Sequence, residues 1–117
     1  MSRIYLGLGS NLGDRRANLR AAIERLGRVI AIDAVSSVYQ SEPVGNVVQP
    51  DFWNLVVRGE TGLDPESLLG ELLRIERELG RTRGMRNAPR SIDIDLLLYD
   101  DRILSTPTLD LPHPRMM

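Results

Sequence analysis

The chain contains no cysteine and no lysine, and its aromatic residues number only five: one phenylalanine, one tryptophan and three tyrosines in 117 residues. Without cysteine there is no disulfide framework, no Cys/His zinc site and no thiol nucleophile, and His113 is the single histidine. Any metal must therefore be bound through oxygen. The absence of lysine removes a Schiff-base or P-loop lysine, and all 15 basic residues are arginine. That usage is compatible with a genome-wide bias, but it means that a bound phosphate would meet guanidinium. No run approaches the roughly 18 apolar residues of a membrane span, and the N-terminus lacks the apolar segment of a signal peptide, so the cytoplasm is the expected location. A formal net charge of −1 gives no general attraction to nucleic acid or to an anionic membrane.

What is present fits one globular domain over residues 1–117, with 42% hydrophobic and 26% charged residues. Residues 3–9 form an expected strand with Ile4, Leu6 and Leu8 on one face, ending in a Gly-Ser-Asn turn. From Asp14, Leu19, Ala22, Ile23 and Leu26 recur at helical spacing up to Gly27. Residues 29–39 are rich in β-branched side chains and predict one strand; residues 41–50 predict a Pro/Gly loop, and 51–60 another strand. Asp64-Pro65 opens a helix whose stripe is Leu68, Leu72, Ile75 and Leu79 and whose end is Gly80. An arginine-bearing loop over 81–90 leads into a strand at 91–99. The order β-α-β-β-α-β predicts a ferredoxin-like α+β fold, an antiparallel sheet with its helices on one face and the other free for ligands.

The chemistry concentrates late in the chain. Ser91-Ile92-Asp93-Ile94-Asp95-Leu96 alternates strictly, which sends the apolar residues inward and both aspartates to the opposite face. At a rise of roughly 3.3 Å per residue their Cα atoms lie about 7 Å apart, so their tips can converge on a hard cation. Like charges side by side on a strand are unfavourable without one, although solvated acidic strands exist. Oxygen-only ligation that leaves room for water and phosphate favours Mg²⁺. Directly upstream, Arg81, Arg83, Arg86 and Arg90 offer planar donor forks suited to phosphate oxygens, or simply a solvated basic loop. Metal plus arginine is the pairing that phosphoryl transfer requires. The Gly7-to-Gly13 run fails the spacing of a dinucleotide or P-loop motif and predicts a tight turn, with Ser10 and Asn11 as its polar residues. His113, in Pro112-His113-Pro114, can donate to a phosphate or merely occupy a turn.

Three stretches together resemble the 6-hydroxymethyl-7,8-dihydropterin pyrophosphokinase family: Gly9-Ser10-Asn11-Leu12-Gly13; Pro43-Val44-Gly45 through Phe52-Trp53-Asn54; and Pro89-Arg90-Ser91-Ile92-Asp93-Ile94-Asp95 with Leu111-Pro112-His113. The resemblance runs along essentially the whole chain. It implies an enzyme of folate synthesis that moves pyrophosphate from ATP to the pterin hydroxymethyl group and releases AMP. It further implies Asp93 and Asp95 as ligands of Mg²⁺, two ions in all, with Arg81, Arg90 and Asp95 acting in the transfer. Glu76, Arg83 and His113 then fall on the ATP side, although Glu76 can equally be a surface acid. Ser41, Val44, Phe52 and Asn54 resemble the pterin pocket, in which Phe52 stacks on the ring or else is plain core. The family carries a further arginine and a second stacking aromatic beyond the His-Pro region, which here would lie past Met117. The 1–117 span is thus expected to lack the family's C-terminal portion and to bind pterin more weakly, and the 81–90 loop is a residue shorter than the family's. The expected partners are ATP and the pterin, with no nucleic acid or membrane, and the expected state is a monomer. An RNA-binding module of the same fold would need a row of sheet aromatics that five scattered residues do not supply.

Overall fold

A computed structural model describes residues 1–42, 51–80 and 91–114. The first strand, β1 (Ser2–Ser10), buries Ile4, Leu6 and Leu8 by simple alternation. The turn after it is closed by Gly13 at φ 64°, a left-handed conformation that costs glycine nothing. Asp14 then caps helix α1 (Arg15–Leu26) by accepting the Ala17 N–H at 3.0 Å, and Leu19, Ala22 and Leu26 form its buried stripe. Helix α2 (Pro65–Gly80) begins in the same way. Asp64 accepts from the Ser67 N–H at 2.8 Å and its hydroxyl at 3.0 Å, and these bonds hold the carboxyl below the usual carboxylate range. Leu68, Leu72 and Ile75 of α2 are fully buried, as their spacing predicts.

The remaining strands are β2 (Ala31–Val35), β3 (Tyr39–Ser41), β4 (Phe52–Thr61), β5 (Asp93–Tyr99), β6 (Leu104–Ser105) and β7 (Asp110–Leu111). The main sheet runs β2-β4-β1-β5, with β3 alongside β4 and every pairing antiparallel. Both helices pack on the face that carries Ile4, Leu6, Leu8, Leu55, Val57, Ile94 and Leu96, forming one core cluster. This is the ferredoxin-like α+β arrangement expected from the element order.

Two details differ from the sequence expectation. Residues 29–39 do not form one strand. The Ser36 hydroxyl accepts the Val56 N–H at 2.8 Å, a bond that a strand carbonyl would otherwise take, so the ladder breaks and resumes at Tyr39. The segment after β5 carries the β6–β7 hairpin, which sequence periodicity did not announce. Thr106 closes it through both main chain and side chain with Leu109, and the Glu66 carboxylate at the start of α2 accepts from Thr108 Oγ1 at 3.0 Å. A bulge between β1 and β5 leaves Leu97 outside the pairing, since Leu6 faces Leu96 while Tyr5 faces Leu98. The bulge turns Tyr99 inward, where its hydroxyl donates to the Leu63 carbonyl.

Candidate active site

On the face of the sheet away from the helices, the antiparallel register fixes which side chains meet. Asp95 stands opposite Gly7 and Asp93 opposite Gly9 on β1, and Gly9 is in turn opposite Asn54 on β4. Two carboxylates therefore stand beside a strip of backbone with no side chains of its own. A Cβ at Gly9 would come within 3.1 Å of the Asn54 side-chain oxygen, so glycine is what lets that amide lie over β1. The Asn54 amide nitrogen donates to Ser41 Oγ at 2.8 Å, which turns the oxygen toward Gly9. Phe52, two residues along and on the same face, is only half-buried and lies outside the core cluster.

These residues enclose a cavity of about 170 Å³ lined by Gly7, Gly9, Ser41, Phe52, Asn54, Asp93 and Asp95. A second cavity of about 470 Å³ opens beside it, between β5, the end of α2 and the β6–β7 hairpin. Its walls include Glu76, Thr106, Thr108, Asp110 and His113, and it too reaches Asp93 and Asp95. The aspartate pair is thus the common wall of two compartments. His113 is placed by its backbone, whose N–H donates at 3.0 Å to the Leu97 carbonyl at the bulge, and its Nε2 lies 3.6 Å from Asp95 Oδ1. Glu76 is 8% exposed, not a surface acid. Its Oε2 accepts the Ile94 N–H at 2.8 Å, capping the outer edge of β5 between the two aspartates.

The structure accordingly brings Asp93, Asp95, Ser41, Phe52, Asn54, Glu76 and His113 to one region. Val44, Arg81, Arg83 and Arg90 lie outside the described residues. Ser10 is the last residue of β1 rather than a turn residue, Asn11 follows it into the turn, and both are buried, at 0% and 5% exposure. The role of Gly7 and Gly9 was missed because the glycine run was weighed as a loop. The spacing of two between them, matching that between the aspartates, was the available sign. Among the described residues no cluster of three or more His, Cys, Asp or Glu forms a closed metal cage. A hard cation on Asp93 and Asp95 would need its remaining oxygens from water or substrate, which is how Mg²⁺ is commonly held. Open cavities on both sides of the pair leave room for them.

A sequence model of the 7,8-dihydro-6-hydroxymethylpterin-pyrophosphokinase family matches residues 5–117. The chain belongs to this family. Among named pyrophosphokinases, that of Aquifex aeolicus is 43% identical over 114 residues, covering 97% of this chain and 71% of the relative. The Bacillus subtilis enzyme is 44% identical over 114 residues, covering 96% of this chain and 68% of its own length. A folic acid synthesis protein of Pneumocystis carinii is 41% identical over 115 residues that make up 16% of that much longer protein.

Proposed function

We propose that this pyrophosphokinase takes ATP as donor and 6-hydroxymethyl-7,8-dihydropterin as acceptor, with Mg²⁺ held by Asp93 and Asp95. The observation that carries the assignment is that these two carboxylates are shared by a small cavity bearing an amide and an aromatic ring and a larger one rimmed by His113 and hydroxyls. The flat heterocycle occupies the smaller cavity. Asn54 presents polar atoms to its edge, Phe52 a ring face, and the bare backbone of Gly7 and Gly9 lets it approach the sheet. The triphosphate enters from the larger cavity, with His113 near its phosphates; Arg81, Arg83 and Arg90 join it on the strength of the sequence, as Val44 joins the pterin side.

The pterin hydroxyl oxygen attacks the β-phosphorus, the bond from that phosphorus to the α–β bridging oxygen breaks, AMP leaves with the bridging oxygen, and the hydroxyl proton is released to solvent. No strong general base is required, because a loose transition state asks for alignment and charge neutralisation. When bound, Mg²⁺ supplies that neutralisation on the phosphate oxygens. The protein's part is to hold Asp93 and Asp95 on a rigid strand, orient the acceptor through Asn54 and Ser41, and keep arginine charge near the transferring group.

Incubation with ATP, Mg²⁺ and the hydroxymethyl dihydropterin should release AMP in equal amount to pterin pyrophosphate. Release of ADP would instead make the protein an ordinary phosphotransferase.

A further inference from the structure

The β1–β5 ladder fixes β5 only from Asp93 onward, where Asp93 pairs with Gly9. Asp93 is therefore a terminal residue of its strand, the position at which strands fray, and the chain immediately before it leaves the sheet. One residue further back, Ile92 is fully buried, and before it Ser91 is held by an unusual set of bonds. The Ser91 carbonyl accepts from the hydroxyl of Ser10, the last residue of β1, and at 3.3 Å from the side-chain amide of Asn18 on α1. One hydrogen of that amide goes to the Leu12 carbonyl at 2.8 Å and the other is shared between Ser91 and Ser10 Oγ, the latter at 3.1 Å, joining the end of β1, the following turn and the start of β5. The Ser91 hydroxyl donates at 3.1 Å to the Leu79 carbonyl in the last turn of α2. Neither Ser10 nor Asn18 is among the residues that line the two cavities.

We infer that Ser10 and Asn18 are positioning residues that hold Asp93 in register with Asp95 by clamping the Ser91 carbonyl. A half-buried carbonyl with two side-chain donors is restrained in direction, and a restrained carbonyl two residues before Asp93 limits how the strand end can rotate. A carboxylate pair that shares a cation is sensitive to such rotation, because both oxygens must reach the same ion. Removal of a partner that orients a metal ligand commonly costs about 10- to 100-fold in metal affinity or activity. The inference rests on the assignment of Asp93 and Asp95 as the Mg²⁺ ligands.

The test compares wild type, Ser10→Ala, Asn18→Ala, the double variant, Asp93→Asn and Asp14→Ala for kcat, pterin KM and the Mg²⁺ concentration at half-maximal rate, with Tm measured alongside. Asp14→Ala loses the cap of the same helix without touching Ser91 and reports general loosening of α1. For Asn18→Ala we expect the half-saturating Mg²⁺ concentration to rise about tenfold, with kcat falling and pterin KM held within about twofold. The double variant should exceed the product of the single effects, since each remaining donor still restrains the shared acceptor in part. If the singles lower Tm but match Asp14→Ala in kcat and Mg²⁺ dependence, the positioning role is wrong. If Asp93→Asn keeps the wild-type Mg²⁺ dependence, the metal assignment falls and the positioning role falls with it. Loss in Asp93→Asn beside unchanged Ser10 and Asn18 variants would overturn the positioning role alone.

Discussion

Single residues on the ligand face act through what they leave empty as much as through what they present. A Cβ on Gly9 would lie 3.1 Å from the Asn54 side-chain oxygen, tighter than side chains normally sit. Gly9→Ala must therefore push Asn54 away from Ser41 and from the cavity it lines. Steady-state kinetics should show pterin KM raised about tenfold with the ATP KM nearly unchanged, the size expected for loss of one well-placed hydrogen bond; an unchanged pterin KM would place the heterocycle elsewhere. Asp93→Asn keeps the shape of its side chain but removes a charge from the shared wall. It should reduce kcat by about a hundredfold or more, since half of the carboxylate charge that would hold the cation is gone. At this scale the aspartate pair was readable in advance, because strict period-two alternation assigns faces without any tertiary knowledge. Ser10 and Asn18 were not. Their meaning lies in a carbonyl over 70 residues away, and nothing local at the end of a strand or near the start of a helix points to it. Glu76 was ambiguous for the same reason: only the edge position of β5 turns a helical acid into a cap for the Ile94 N–H.

Among the elements, α2 serves both the core and the site. Its stripe of Leu68, Leu72 and Ile75 is buried against the sheet, and its last two turns carry Glu76 to the β5 edge and Leu79 to Ser91. Leu72→Ala should cost about 2–5 kcal/mol of unfolding free energy, measured by urea denaturation, because a buried leucine leaves a cavity that neighbours refill only in part. The cap at the start of α2 makes a pH prediction. The Ser67 N–H and hydroxyl hold the Asp64 carboxyl below its ordinary value, so its contribution is fully present above the unfolded pKa, about pH 4. It is lost as pH falls through the lower, folded value. Asp64→Ala should be less stable than wild type at pH 7, and the gap in urea midpoint should close as the pH is lowered toward 3; a gap independent of pH would deny the charged cap. Both helices were legible from their caps and stripes. The break between β2 and β3 was not, since it depends on a serine hydroxyl replacing a strand carbonyl across the sheet. The β6–β7 hairpin was equally hidden, because strands of two residues have no period to read and are held by Glu66 from a distant helix.

For the whole molecule, the β-α-β-β-α-β order and an antiparallel sheet in the order β2-β4-β1-β5 leave one face uncovered by helices among the described residues, and the central strands β1 and β4 carry its floor. The cavity of about 170 Å³ lies on that floor, and the larger one, of about 470 Å³, lies at the β5 edge, where the C-terminal hairpin folds back. Asp93 and Asp95 belong to both. On the function proposed above, one cation site joins the two compartments. Its most direct measurement is anomalous diffraction from a crystal carrying Mn²⁺ in place of Mg²⁺, a non-hydrolysable ATP analogue and the hydroxymethyl dihydropterin. Metal peaks are expected at about 2.1 Å from oxygens of Asp93 and Asp95, with the triphosphate on the His113 side and the heterocycle beside Asn54. Both ligands bound with no anomalous peak at either carboxylate would contradict it.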